Sequence, residues 1–278
     1  MISIIICSRY SNIPQSLKDN IAETIGVEYE LIVIDNSTNK YSIFSAYNEG
    51  ARRSKYPYLC FMHDDVLYHT QDWGKNVVLH FDDEKVGLIG VAGCHFLQST
   101  PAYWFDSPYV TRTHIQTENG VSVKGSEGYF FNDTTIVEAV GCDGFLLCIR
   151  HSLFSKISFD EITYSGFHYY DMDICMQVIA SGYSVCICND ITIEHFGSAN
   201  FNSIYYENQQ IFVDKWKNYL PIQRGIQLPE DAFQHINRYI VAWYLKDKEI
   251  QRIVNSKAYR LGKFLLRPFY VVKSLFSV

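Results

Sequence analysis

Nowhere does the chain hold an uninterrupted apolar run of about 18 residues, the length that crosses a bilayer as a helix, so no membrane-spanning helix is expected. The opening MISIIIC lacks a basic segment followed by a long apolar stretch, and no signal peptide is expected. Among the 8 cysteines there is no Cys-x-x-Cys pair. Cys186 and Cys188 share one strand face with no partner pair, a poor zinc signal. Cys7, Cys60, Cys148, Cys186 and Cys188 lie in apolar, strand-like runs, where a free thiol behaves as a small hydrophobe. A reduced, cytoplasmic setting follows better than a disulfide framework. No internal repeat or low-complexity segment is found, which excludes solenoids and arrays. Residues 251–278 contain no acidic side chain.

What is present fits a globular protein with a sizeable core. The chain has 278 residues, 47% hydrophobic and 19% charged, enough for one large domain or two small ones. Its net charge of −6 is unevenly spread, because 251–278 hold Arg252, Lys257, Arg260, Lys263, Arg267 and Lys273. The body is therefore strongly acidic, which argues against nucleic-acid binding. The basic, apolar tail fits an anionic membrane surface, or packing against the body with the cations left in solvent.

Strand-like runs at 2–7, 29–34 and 58–62 alternate with helical patterns at 16–25 and 43–54. That order and spacing predict βαβ units and a parallel sheet. Further on, 86–92 reads as a buried strand and 98–135 as loops or a hairpin. Residues 137–149 read as a strand interrupted at Gly141 and Gly144. A helix is expected over 171–181, ended by Gly182, then short strands at 183–188 and 191–194. From about 204 the pattern is mainly helical, broken at Pro221 and Pro229. The expected division is 1–203 for the α/β domain and 204–278 for a helical extension with a basic amphipathic tail.

Ser8-Arg9, Asp35-Asn36 and His63-Asp64-Asp65 each follow the end of a predicted parallel strand. In open α/β sheets ligands bind in the crevice beyond those ends. Adjacent carboxylates repel, so Asp64-Asp65 either holds a hard cation such as Mg²⁺ or Mn²⁺ or forms a solvated turn or helix cap. Asp171 and Asp173, at i and i+2, point to different faces of a helix, so one alone enters a site; both otherwise serve as N-terminal acids. Asp143 sits in a strand break, as a sugar-hydroxyl partner or a turn residue. Arg52 and Arg53 belong to a solvated helix face or to phosphate. Tyr103, Trp104 and Phe105 stack on a sugar or pack in the core.

In this order LIVIDNS (31–37), SAYNEGARRSKYPYLCFMHDDV (45–66), GCDGFLLCIR (141–150) and YYDMDICMQVIASGYSV (169–185) resemble glycosyltransferase family 2, with its nucleotide-sugar-binding GT-A fold, over about residues 1–200. The resemblance implies a mostly parallel mixed sheet flanked by helices, and a metal-dependent inverting transferase of hexosyltransferase type. Ser8, Arg9, Asp35, Asn48 and Asp64 would face the nucleotide, UDP being the commonest. Asp65 and His195, with His63 competing, would hold Mn²⁺ or Mg²⁺. Asp171 would be the general base. Asp143, Gly144 and Tyr170 would line the acceptor side. The acceptor would be a glycan or lipid-linked saccharide in surface polysaccharide assembly, with the enzyme peripheral on the inner face of the plasma membrane. The chain departs from the family pattern where His63 replaces the first acid of the DxD-type motif and Tyr170 the Glu before the catalytic Asp. Three rivals carry their own marks. A nucleotidyltransferase calls for a Gly-rich basic loop after the first strand, and CSRYSNIPQS has no Gly. A carboxylate-pair glycoside hydrolase needs no nucleotide groups. A non-catalytic sugar-nucleotide binder needs no Asp171.

Overall fold

The computed structural model describes residues 1–125, 134–197 and 201–261. The first elements are β1 (Ile2–Ser8), α1 (Gln15–Thr24), β2 (Tyr29–Asp35), α2 (Ile43–Arg53), β3 (Tyr58–Met62), β4 (Val66–Tyr68), α3 (Trp73–His80) and β5 (Val86–Gly90). There follow β6 (Ala92–Cys94), β7 (Phe96–Leu97), β8 (Val110–Arg112), β9 (Ile115–Glu118), β10 (Val121–Lys124), β11 (Ile136–Ala139), β12 (Gly141–Cys142) and β13 (Leu146–Arg150). The last are α4 (Tyr170–Ala180), β14 (Ser184–Cys188), β15 (Ile193–His195), α5 (Ser203–Trp216), β16 (Ile222–Gln223) and α6 (Glu230–Val254).

The central sheet has seven strands in the order β11-β14-β5-β13-β3-β1-β2. β1, β2, β3, β5 and β14 run one way, and β13 and β11 oppose them. It is thus mixed and mostly parallel, as the sequence implies. β1 is buried along almost its whole length, which explains an isoleucine run with no alternation: a parallel strand covered on both faces is apolar on both. β2, at the edge, is only half-buried along most of its length. α2 starts where the Ser42 hydroxyl accepts the Ser45 N–H at 3.2 Å, and it buries Ile43, Phe44, Tyr47 and Ala51. Gly50 lets this helix press on β1, since a Cβ there would stand 2.3 Å from Ile5 Cγ2. All eight cysteines are free; all but the half-buried Cys7 are buried.

One topological detail places the site. β13 is inserted antiparallel between β3 and β5, and Leu146 pairs with Met62. The loop entering β13 therefore meets the C-terminal ends of β1, β2 and β3. A second sheet, β10-β9-β15-β4, adds to that edge, because β15 pairs antiparallel with β4 and sets His195 opposite Val66.

The chain divides into two units, Met1–Gln227 and Leu228–Val278. The first runs past the boundary expected at 203/204. α5 buries Tyr205, Phe212 and Trp216, and β16 pairs with β7, so both belong to it. In the second unit α6 spans 25 residues with Glu230 and Asp231 in its first turn, favourable to the helix dipole. Of the basic amphipathic tail expected over 251–278, the part beyond Leu261 lies outside the described residues. No helix among the described residues is long and apolar enough to cross a membrane.

Candidate active site

Ser8 and Asp35 are register partners at the ends of β1 and β2, and His63-Asp64-Asp65 follows β3 one strand away. The expected convergence of three strand ends is therefore present. The Ser8 hydroxyl donates to Asp64 Oδ2 at 2.5 Å and accepts the Tyr10 N–H at 3.1 Å, locking the first loop onto the acidic pair. Asp35 is exposed, and the Ser37 hydroxyl and then the Ser37 N–H, at 2.9 Å, hold its carboxyl below the ordinary range. Arg9, which follows Ser8, is exposed.

His195 reaches Asp65 through the β15–β4 pairing, and the Phe196 N–H donates to the Asp65 carbonyl at 2.9 Å. Asp65 Oδ1 lies 3.5 Å from His195 Nε2 and 3.8 Å from His63 Nδ1. The three side chains form a convergent ligand set. Oδ1 is buried and has no hydrogen-bond partner. Two ligands of one ion, each bonded at about 2.1 Å, stand about 3 to 3.5 Å apart. An orphaned carboxylate oxygen between two imidazoles at such separations fits a divalent cation. Burial alone would raise the Asp65 pKa, but His195 and His63 outweigh it and hold the carboxyl below its ordinary range. Burial, then the neighbouring His195, push His63 down to about 4, so its imidazole is neutral and able to ligate. His195 is oriented from behind: its ring stacks on Phe145 at 4.6 Å, and Gln116 Oε1 lies 3.3 Å from its Nδ1. Gly197 leaves the cluster open, since a Cβ there would stand 2.6 Å from His195 Nε2 and 2.8 Å from Asp65 Oδ2.

Beside this cluster lies Asp171, with 0% exposure, in the first turn of α4. Its Oδ2 accepts from the Tyr103 hydroxyl and from the Gly144 N–H at 3.1 Å, and its Oδ1 from the Met172 N–H at 2.8 Å. These donors favour the charged form. Burial and the nearby Asp143 charge oppose them and win, raising the Asp171 pKa to about 7. Asp143 is itself raised by burial. Tyr170 joins the two halves: its hydroxyl pairs with His63 Nε2 at 2.8 Å, and Gly144 makes room for it, because a Cβ there would stand 2.2 Å from that oxygen. The loop before β13 thus carries Asp143 and Gly144 to the edge, and Phe145 gives the His63 N–H its acceptor at 3.1 Å.

Asn48 is not part of this group. Its carboxamide oxygen accepts the Phe159 N–H, and its NH₂ donates to the Phe159 carbonyl at 2.8 Å and to Glu161 at 3.2 Å. Every hydrogen-bonding group of the amide is engaged in pinning that loop, and Asn48 faces a groove of about 880 Å³ at the other end of β3, beside Pro57 and Tyr58. Arg52 and Arg53 pair with Glu49 on the helix surface. Asp173 turns away from Asp171 and ties α4 to α5, accepting from Trp216 Nε1 at 2.8 Å, Lys215 at 2.9 Å, Gln177 at 2.7 Å and Tyr164 at 3.1 Å. Sequence reasoning missed Tyr103 as the partner of Asp171 and Gln116 as the support of His195. Neither sits in a motif or at a strand end.

A family model described as "Glycosyltransferase like family" matches residues 3–216. No curated protein matches. Among solved structures, GalNAc-T7, crystallised with UDP, GalNAc and Mn²⁺, is similar at TM-score 0.53 and 10% identity over 78% of this chain and 49% of that one. S. aureus TarS 1-349, in complex with UDP-GlcNAc, is similar at TM-score 0.52 and 12% identity over 85% of this chain and 70% of that one. The chain thus spans about half the length of the first and most of the second. At these identities the likeness shows the fold.

Proposed function

Because the chain belongs to the glycosyltransferase-like family, we propose that it moves a sugar from a UDP-linked donor to a hydroxyl of a saccharide or lipid-linked saccharide, with inversion at the anomeric carbon. The observation that carries this reading is the unpartnered Asp65 Oδ1 between His63 and His195 at the strand ends, next to a buried carboxyl titrating at about 7. The nucleotide in the crystallised GT-A neighbours supports UDP.

Ser8, Arg9, Asp35 and Asp64 form the nucleotide side. Asp65, His195 and His63 would hold Mn²⁺ or Mg²⁺, which neutralises the charge of the departing diphosphate. Asp143, Gly144 and Tyr170 form the acceptor side. The acceptor hydroxyl takes the place at Asp171 Oδ2 that the Tyr103 hydroxyl fills in this structure. Its oxygen attacks the anomeric carbon, the bond to the diphosphate oxygen breaks, and Asp171 takes the proton. A base titrating near neutrality balances availability of the ionised form against proton affinity. The acid-free, basic segment 251–278 supports a peripheral seat on an anionic membrane, where a lipid-linked acceptor for surface polysaccharide would be presented.

The test is a thermal-shift panel of UDP, GDP, dTDP, CDP and ADP with Mn²⁺, Mg²⁺ or EDTA. A ligand that binds only the folded chain raises the midpoint by mass action. A UDP shift that requires metal and vanishes in Asp65→Ala is expected. No shift with any nucleotide near about 1 mM, where even weak sites would fill, refutes the donor site.

A further inference from the structure

A second ligand set lies outside the candidate active site. His80 ends α3, Cys188 ends β14, and Asp190 follows in the turn toward β15. His80 Nε2 lies 3.0 and 2.9 Å from the two Asp190 carboxylate oxygens, and a ligand atom of each of the three residues lies within 4.8 Å of the others. Cys188 is 0% exposed, the His80 side chain 6% and that of Asp190 22%. The backbone carrying these donors is pinned at successive residues. Thr113 donates its hydroxyl to the Cys188 carbonyl at 2.8 Å, the Asn189 N–H donates to the Thr135 carbonyl at 3.0 Å, and Asn76 donates to the Asp190 carbonyl at 3.0 Å. Asn76 stands one helical turn before His80, so α3 supplies a ligand and holds the turn that supplies another.

We propose that His80, Cys188 and Asp190 form a structural binding site for a zinc-class divalent cation. The donor set decides the class. Thiolate and imidazole select a borderline-soft ion, whereas Mg²⁺ and Ca²⁺ call for oxygen ligands. Charge points the same way: one thiolate, one carboxylate and one neutral imidazole bring a dication to zero net charge at a mostly buried point, where residual charge is expensive. On binding, the sulfur–metal bond forms as the Cys188 thiol proton leaves to solvent, and the 22% of the Asp190 side chain left exposed would admit water as a fourth ligand. No sequence spacing marked this site, because His80 and Asp190 are brought together only by the packing of α3 against the β14–β15 turn. That turn leads directly to His195, so the ion would stiffen the segment that delivers it. The proposal does not depend on the transferase reading.

The experiment is titration of the purified full chain with Co²⁺, read by the thiolate-to-cobalt charge-transfer absorption in the near ultraviolet, then displacement by Zn²⁺. The His63/Asp65/His195 cluster has no sulfur and gives no such band. One equivalent of cobalt with the band is expected in the wild type and in the Asp65→Ala/His195→Ala variant. In Cys188→Ala the band should vanish, and in His80→Gln binding should weaken by about tenfold or more. Where Cys188→Ala fails to fold, His80→Gln, whose amide can still donate to Asp190, carries the comparison. No sulfur band in the folded wild type, or a band unchanged in either folded variant, overturns the site and leaves His80–Asp190 as an ion pair.

Discussion

Replacing Asp171 with Asn should reverse the pH order of stability between variant and wild type. The folded Asp171 carboxyl titrates at about 7, against 3.8 for the unperturbed group. A carboxyl whose pKa is raised on folding binds its proton more tightly in the native state, so its contribution is fully present below the unfolded pKa and is lost as pH rises through the folded one. The window is pH 3.8 to about 7. At about 1.4 kcal/mol per unit, the loss over about three units comes to about 4 kcal/mol. No discount for solvent applies, since Asp171 is 0% exposed. Asn removes the titration but sets an NH₂ group against donors. If its oxygen keeps the Met172 N–H, its nitrogen faces the Gly144 N–H. That mismatch costs about 1–3 kcal/mol at every pH. The variant should therefore be the less stable near pH 4 and the more stable above pH 7. Urea denaturation at matched pH values from 4 to 8 measures it, with the slope checked for constancy so that midpoints report stability. Most other titrating groups cancel in the difference. Parallel curves would refute the raised pKa, and with it the claim that the acceptor-side base is poised at neutrality.

Two further predictions test neighbours of that carboxyl. Asp143→Asn removes the charge that adds to burial in raising the Asp171 pKa, so the same pH-difference experiment should move its upper limit below about 7; an unchanged limit would mean burial alone sets it. Asp173→Ala removes a buried carboxylate that anchors Lys215, Trp216, Gln177 and Tyr164. It should lower stability by about 3–5 kcal/mol in denaturant while leaving the metal-dependent UDP shift in place, because a deserted buried partner is costly but is not a ligand.

Most of the parallel half of the fold was legible because its signals are local. An isoleucine run followed by an amphipathic helix and a second apolar run has few other solutions, and the expected strands at 2–7, 29–34 and 58–62 agree with β1, β2 and β3 to within a residue. Ser8, Asp35, Asp64 and Asp65 were visible for the same reason, since they follow directly on those strands. Residues 137–149 were harder. They read as one interrupted strand, and the chain makes three: β11 at one edge of the central sheet, β12 in a small three-stranded sheet with β6 and β8, and β13 inserted between β3 and β5. Periodicity cannot reveal which neighbour a strand chooses. Asn48 misled because its place in a helix matched a family pattern, while its contacts depend on a loop more than a hundred residues away. Tyr103 lies in an irregular stretch and Gln116 in the short strand β9, neither with a sequence signal, and only the folded chain sets them against Asp171 and His195.

The opposed strand β13 also decides the electrostatics. If the sheet ended its parallel run at β3, the edge would hold Asp35, Asp64 and Asp65 and nothing to face them. Insertion of β13 brings Asp143 to the same edge, and Gly144 donates to Asp171, so the fold gathers five carboxylates around one crevice. Like charges so placed can persist only if each is handled differently. Asp35 stays in water with a backbone donor, and Asp64 takes the Ser8 hydroxyl. Asp65 is left facing two imidazoles with an unpartnered oxygen. Asp143 and Asp171, the two on the β13 side, are the ones whose proton affinity rises. The crevice is thereby divided along β3: one side keeps its negative charge and is suited to a cation and the diphosphate it would bind, and the other holds carboxyls ready to exchange a proton. In the proposed reading, that division keeps a charged leaving group apart from an attacking hydroxyl, and the direction of a single strand sets it.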